Sequence, residues 1–270
     1  MRGGAVTAEV PASAVPTLHG PDAERPRDGR GQTLVWDALR QILAERVADT
    51  GRTALDIVDA GGGTGGFAVP FAVLGHNVTV VDPSPDALAG ARRRAAERNV
   101  RLTAVQGDAD SLDAVAGRDG ADLVICHSVL EYVDSPAAAM AAIARVLRPG
   151  GCVSVLAANA VAAVLQRALA GRYAEASELL EAASGTCGAG GITRPGEPRR
   201  FTLSGLSALI AGAGLRAGDA HGIRVFSGLL SEAEADPDAA EALLLLEDAA
   251  AAHPALRDIA AQLHVVGVRQ

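Results

Sequence analysis

The sequence predicts an α/β protein: a mostly parallel sheet of seven strands with helices on both faces. Three observations carry this expectation. Short runs of Val, Ile, Leu and Ala recur along the chain, the composition of strands covered on both sides. Helix-length segments separate them, as parallel connections require. Residues 54–84 form a complete unit of strand, glycine elbow, helix and strand, running from Ala54 through Gly61-Gly62-Gly63-Thr64-Gly65-Gly66 to Val78-Thr79-Val80-Val81-Asp82.

The elements follow in order. Residues 1–30 are rich in Pro, Gly and Arg with few large apolar groups, and a disordered arm is expected there. From Gln32 to about Asp49, Leu34, Leu39, Ile42, Leu43 and Val47 fall on one helical face. A Rossmann-like alternation comes next, with strands at 54–60, 78–82, 101–105, 121–127 and 152–157 and helices near 64–74, 85–98 and 136–147. Residues 159–184 read as two short helices around Gly171-Arg172-Tyr173, and 185–200 as a loop. A helix at 203–213, a strand near 215–225, an acidic helix at 237–252 and a strand at 263–269 complete the domain, 31–270. The insertion at 158–200 follows the fifth strand, at the carboxyl edge of the sheet, where it would form a lid over a cofactor cleft.

The glycine elbow predicts a nucleoside cofactor. Without a Cβ, backbone amides at a helix N-terminus approach a ligand closely. Asp82, at the tip of the next strand, is placed to accept hydrogen bonds from a ribose diol. Gly61, Gly63 and Gly66 fit the dinucleotide spacing G-x-G-x-x-G, whereas Gly61, Gly63 and Gly65 fit the G-x-G-x-G of S-adenosylmethionine enzymes. Asp59, two residues before the first glycine, favours S-adenosylmethionine, because its carboxylate attracts an ammonium group and repels a pyrophosphate. The acidic loop Gly107-Asp108-Ala109-Asp110 suits the amino group of adenine. A ligand-free turn and NAD are the competing readings.

Composition narrows the function further. Aromatic residues make up only 3% of the chain, so Ala, Val and Leu must build the core. All 24 basic residues are arginine. The net charge of −8 is concentrated: residues 231–258 hold eight Asp or Glu against Arg257 alone, a local −7 that leaves about −1 elsewhere. Overall charge therefore does not decide between RNA and small-molecule partners. Cys126, Cys152 and Cys187 are an odd number without C-x-x-C spacing, which indicates neither a disulfide framework nor a zinc site; the first two are expected in buried strands. With no apolar run of about 18 residues and no signal-peptide pattern, a cytoplasmic protein is expected. No Ser/His/Asp triad, metal cluster or H-E-x-x-H motif is present.

With these pieces placed, the chain resembles the class I S-adenosylmethionine-dependent methyltransferases, whose last strand runs antiparallel. The glycine loop and Leu147-Arg148-Pro149-Gly150-Gly151 carry that likeness. A closer similarity is to the bacterial family that methylates the carboxylate of 5-carboxymethoxyuridine in tRNA. It rests on 55–63, on His127-Ser128-Val129-Leu130-Glu131-Tyr132, on Asn159, and on Gly222-Ile223-Arg224-Val225-Phe226. Ala242-Leu243-Leu244-Leu245-Leu246-Glu247 and the strand at His264-Val265 extend it. The resemblance implies S-adenosylmethionine as donor, held by Arg30, Asp59, Gly61, Gly62, Gly63, Gly65, Asp82, Pro83, Asp108, Ala109, Asp110 and His127. Two departures stand out. Residues 184–191 lack the family's lysine-rich stretch, and Gly31 stands where the family has a donor-binding arginine, with Arg30 adjacent. A carboxylate acceptor needs a cation rather than a base. Arg224 is the first candidate, with Arg199 and Arg200 beside it, and Glu131 and Asn159 are further candidates for orienting the acceptor. A small-molecule methyltransferase and a non-catalytic cofactor-binding partner protein remain the alternatives.

Overall fold

A computed structural model describes residues 32–184, 190–194, 196–229 and 237–270; the expected arm at 1–30, Arg30, Gly31 and Cys187 lie outside them. Seven strands form one sheet: β1 Asp56–Ala60, β2 Asn77–Asp82, β3 Thr103–Gln106, β4 Ala121–His127, β5 Leu147–Ala158, β6 Leu215–Ile223 and β7 Gln262–Arg269. Their order is β3-β2-β1-β4-β5-β7-β6. β1 to β5 pair in parallel, and β7 lies antiparallel between β5 and β6, as expected for the last strand. The order reverses between β1 and β4, so the crevice for a ligand opens there, outside the carboxyl ends of the strands.

Alternate residues of each strand feed two cores. Ile57, Val78, Val80, Leu123 and Ile125 pack under α1 (Gln32–Thr50), α2 (Ala68–Val73) and α3 (Pro85–Glu97). Val58, Ala60, Val124, Cys126, Val153 and Val155 pack under α5 (Pro136–Val146) and α8 (Leu203–Gly212). With so few aromatics, Trp36 anchors the first core, stacked on Phe71 with ring centroids 4.5 Å apart. Phe201, fully buried, anchors the second. Ser84 and Ser135 cap α3 and α5, each ahead of a proline at the first helical position, and Thr202 caps α8.

Three differences from the expected elements have local causes. α2 begins at Ala68 rather than at 64, because residues 61–67 turn before the helix can propagate. β5 begins at Leu147, since Leu147 already pairs with Ala121 before a register shift brings Cys152 opposite Leu123. The four-residue helices α4 (Asp113–Ala116) and α10 (Pro254–Arg257) are too short to leave a periodic pattern. Cys126 is buried as expected, whereas Cys152 is half-buried.

The Leu-Arg-Pro-Gly-Gly turn belongs to the opposite, amino edge of the sheet, where it completes an ion-pair cluster. Asp122, its carboxylate fully buried, meets Arg52 at 2.7 Å, Arg148 at 2.9 Å and Arg46 at 3.4 Å. Arg52 and Arg148 also pair with Asp56. Arg46 donates to the Pro149 carbonyl, and a Cβ on Gly150 would stand 2.7 Å from its guanidinium. The motif thus ties α1, β1, β4 and β5 together and stands apart from the crevice. Asp122→Asn keeps the shape but removes the charge that faces three arginines. It should lower stability by about 1.5–3 kcal/mol without changing ligand affinity, as chemical denaturation and calorimetry would show.

Candidate active site

The glycine loop leaves β1 at the crevice. Gly61 donates to the Val81 carbonyl at 2.7 Å, which holds the loop against β2. Gly61 (φ 70°) and Gly63 (φ 54°) both adopt left-handed backbone. Their surroundings differ: a Cβ on Gly61 would strike Val129 at 2.3 Å, whereas one on Gly63 would meet nothing within 4 Å. Gly63 therefore borders open space above the crevice, and its absent side chain is what keeps that space open.

Two carboxylates flank the loop. Asp82, buried at the end of β2, accepts from the Gly63 amide through one oxygen and from the Ser84 amide through the other, both at 2.9 Å. Each oxygen keeps a lone pair for a further donor. Asp59 is also buried, and the Ala68 amide at the start of α2 acts on its carboxylate. A Cβ on Gly62 would lie 2.5 Å from the Asp59 carboxyl carbon, so only glycine fits there. Burial first, and the neighbouring Asp82 charge second, push the Asp59 carboxyl up to about 7. An ammonium group entering the crevice would relieve both causes.

The other expected donor contacts line the same edge. Asp108 and Asp110 are exposed after β3, on either side of buried Ala109. Pro83 follows Asp82 and receives a hydrogen bond from Gln106 through its carbonyl. His127 ends β4 with its ring edge on Phe67, the residue that leads into α2. Its Nε2 lies 2.8 Å from Ser154 Oγ, which lies 2.8 Å from His264 Nε2. One hydroxyl proton cannot serve both rings, so the two imidazoles are opposite tautomers. Burial holds His127 well below the usual imidazole range, and burial together with His221 takes His264 down to about 3, so both are neutral at pH 7.

On the acceptor side the structure separates the candidates. Glu131 Oε1 accepts the Ala158 amide at 2.8 Å, its main-chain carbonyl accepts the Arg199 amide, and Oε2 is buried without a partner among the described residues. Burial raises its carboxyl, opposed by the Ala158 amide and the Arg200 charge. Asn159 is buried and committed: Nδ2 donates to the Asp258 and Ala260 carbonyls, and Oδ1 caps α6 (Ala160–Leu169) through the Val161 amide. Arg199 donates to the Leu130 and Val133 carbonyls, bracing the turn after β4. Arg200 pairs with Glu197, which also takes Arg167 and Arg194. The insertion, α6 with α7 (Tyr173–Ser184) and its return strand-like segment at Ile192 and Arg200, thus neutralises much of its own charge.

Arg224 is different. It follows β6 at the same carboxyl edge, is exposed, has φ 60°, and carries no side-chain partner among the described residues. Its turn is locked by Glu247 of α9 (Pro237–Ala251), whose carboxylate accepts the amides of Val225, Phe226 and Ser227 at 2.6 to 3.0 Å. Sequence reasoning missed Glu247; the signal was a carboxylate directly after a run of four leucines on an acidic helix. A cavity of about 310 Å³ opens between this turn, α9 and the first turns of α1, lined by Arg224, Asp37 and Asp248 among others.

Comparison with known proteins agrees with this geometry. A family model described as a methyltransferase domain matches residues 57–151. The tRNA 5-carboxymethoxyuridine methyltransferase of Escherichia coli O157:H7 is 31% identical over 222 residues, covering 80% of this chain and 79% of that protein. The ubiquinone biosynthesis O-methyltransferase of Aeromonas salmonicida is 37% identical over 103 residues, 38% of this chain and 43% of its own length. Among solved structures, a Mesorhizobium loti S-adenosylmethionine-dependent methyltransferase superposes with TM-score 0.55 at 24% identity, covering 89% of this chain and all (100%) of that one. Magnesium protoporphyrin IX methyltransferase from Synechocystis, solved with S-adenosylhomocysteine, gives 0.56 at 15% identity over 89% of this chain and 86% of its own. The two structures speak for the fold, and the Escherichia coli relative for descent. The chain belongs to the class I S-adenosylmethionine-dependent methyltransferases.

Proposed function

We propose that this enzyme methylates the carboxylate of 5-carboxymethoxyuridine in tRNA, in the cytoplasm. The observation that carries the reading is the match to the Escherichia coli relative over about four-fifths of both chains (80% and 79%). S-adenosylmethionine supplies a methyl group on a sulfonium, which a carboxylate accepts without losing a proton. The protein's task is then to hold both partners in line and keep water out.

Each crevice residue has a matching part. Gly61, Gly62, Gly63 and Gly65 bring the loop amides close to the donor. Asp82 takes the ribose hydroxyls, Asp59 the ammonium, and Asp108 and Asp110 with Ala109 and Pro83 the adenine. His127, neutral and held by Ser154, packs beside the donor. Arg30 lies outside the described residues and is assigned to donor binding on the resemblance alone. The insertion at 158–200 acts as the lid, rooted by Asn159 and Glu131.

The Asp59 assignment makes a pH prediction. With its carboxyl raised to about 7, Asp59 is protonated below that pH and ionised above it. The cationic donor favours the ionised form, so affinity should rise from pH 5.5 to pH 8 by about tenfold or more, with a proton released on binding near pH 6.5. Calorimetry in buffers of different ionisation enthalpy measures both, and a flat profile would remove Asp59 from the ammonium site.

A small-molecule acceptor is the second reading. It is favoured by the insertion's Arg167, Arg172, Arg194 and Arg200, which Glu175, Glu178 and Glu197 already pair, leaving less charge there for RNA phosphates. Incubation with labelled S-adenosylmethionine and either tRNA lacking the methyl ester or a metabolite fraction decides between them. Label in tRNA supports the proposal, and label only in metabolites replaces it. Donor binding without transfer to either would point to a non-catalytic partner protein.

Among the described residues, no helix is long and apolar enough to cross a membrane.

A further inference from the structure

The cavity beside Arg224 has no part in donor binding as assigned above, yet it is built with care. Glu247 accepts three consecutive amides through its carboxylate, which fixes the turn. A non-glycine residue at positive φ costs free energy, and here that cost is borne by the one arginine at the mouth of the cavity. Across from Arg224 stand Asp37 on α1 and Asp248 on α9, neither within ion-pair distance of it. Among the described residues, the cavity therefore offers a cation and carboxylate acceptors without ion-pair partners, and an apolar wall from Leu34, Leu244 and Leu245.

Its position joins it to the donor crevice. β6 is parallel to β4, so Arg224 and His127 leave the sheet at the same edge, three strand spacings or about 14 Å apart. Gln262, opposite Ile223 at the end of β6, reaches Ser128 just after β4. On the other side, α1 carries Asp37 next to Trp36, whose ring lies 6.4 Å from Phe67, and Phe67 touches His127.

We propose that this cavity receives the acceptor: Arg224 holds the carboxylate through paired N–H bonds, the leucines cover a planar ring, and Asp37 accepts an N–H from that ring. A ligand with one anionic arm and a ring N–H, such as a carboxyl-bearing uracil nucleoside, satisfies all three walls at once. A purely apolar acceptor would leave Arg224 and Asp37 unmatched, and a dianion would meet Asp37 and Asp248. At about 310 Å³ the cavity sits at the small end of ligand pockets, sized for one nucleoside and not for a lipid tail. The choice of a nucleoside acid rests on the tRNA reading; the cavity's preference for a carboxylate with a ring N–H does not.

Binding of 5-carboxymethoxyuridine, its methyl ester and uridine, each with S-adenosylhomocysteine present, tests the cavity directly. The free acid should bind most tightly. Arg224→Gln should weaken the acid at least about tenfold and leave the ester nearly unchanged. Asp37→Asn should weaken acid and ester alike, and neither variant should alter S-adenosylhomocysteine affinity. Glu247→Gln, by loosening the turn, should weaken the acid with smaller effect than Arg224→Gln. Equal binding of acid and uridine, or an Arg224→Gln variant that binds the acid normally, overturns the proposal. So does loss of S-adenosylhomocysteine affinity in Arg224→Gln, which would give the cavity to the donor's amino-acid tail. Transfer of label to tRNA is scored separately. Transfer that survives Arg224→Gln intact sinks the cavity and spares the tRNA reading; selective acid binding without transfer to tRNA does the reverse.

Discussion

Gly63→Val is expected to abolish S-adenosylmethionine binding while the protein remains folded. The reason lies in what surrounds the position. A Cβ there meets no protein atom within 4 Å, so the valine would project into the crevice and not into the core. The cost to the fold is the left-handed backbone at φ 54°, about 1–2 kcal/mol for a residue with a Cβ and more for a branched one. That corresponds to a fall of roughly 2–8 °C in melting temperature for a domain of this size. Gly61→Val is the contrasting case, because its side chain would collide with Val129 at 2.3 Å and disturb the turn after β4 as well as the loop. Calorimetry and thermal unfolding on the two variants should therefore separate: lost binding with modest destabilisation at Gly63, and both losses, larger, at Gly61. Normal donor affinity in Gly63→Val would mean that the ligand does not pass over the loop.

The contrast between those glycines shows what a sequence can and cannot reveal. The spacing of the glycines and the carboxylate at Asp82 mark out a candidate cofactor site, because they answer to local rules of chain direction and close approach. Strand and helix positions were legible for the same reason: period and composition are local. What stayed hidden depends on residues far apart in the chain. That Asp122 gathers Arg46, Arg52 and Arg148 follows only once β4 lies beside β1 and β5. Glu247 read as one charge on an acidic helix, and only the fold brings it to the amides of 225–227. Arg224 stands out in the sequence through the resembling segment 222–226, but what Arg199 and Arg200 are engaged with cannot be read there. The structure shows those two occupied with carbonyls and with Glu197, while Arg224 faces a cavity. Asn159 drew notice by position, and its amide turns out to be consumed in bracing the insertion.

Asp82→Ala should lower donor affinity by at least about 100-fold, since each hydrogen bond to a charged acceptor contributes about 1.5–3 kcal/mol and two ribose hydroxyls would lose theirs. The structure adds two consequences that a strand-tip carboxylate alone would not have. Asp82 also accepts the Gly63 and Ser84 amides, so its removal loosens the loop and should cost about 1–3 kcal/mol of stability. It is, besides, the second cause of the raised carboxyl at Asp59. Without that neighbouring charge, Asp59 ionises more readily, and the pH at which residual donor binding is half-maximal should move down from about 7. Asp82→Asn keeps the shape but must turn an N–H toward one of the two amides, so it should recover little of the affinity while shifting the pH midpoint in the same direction. A loss of affinity with an unmoved midpoint would mean that Asp59 and Asp82 act separately, one of them away from the donor. Unchanged affinity would place the ribose elsewhere. Only the combined result, weaker binding with a lower midpoint, fits a single cation-bearing nucleoside seated between the two carboxylates.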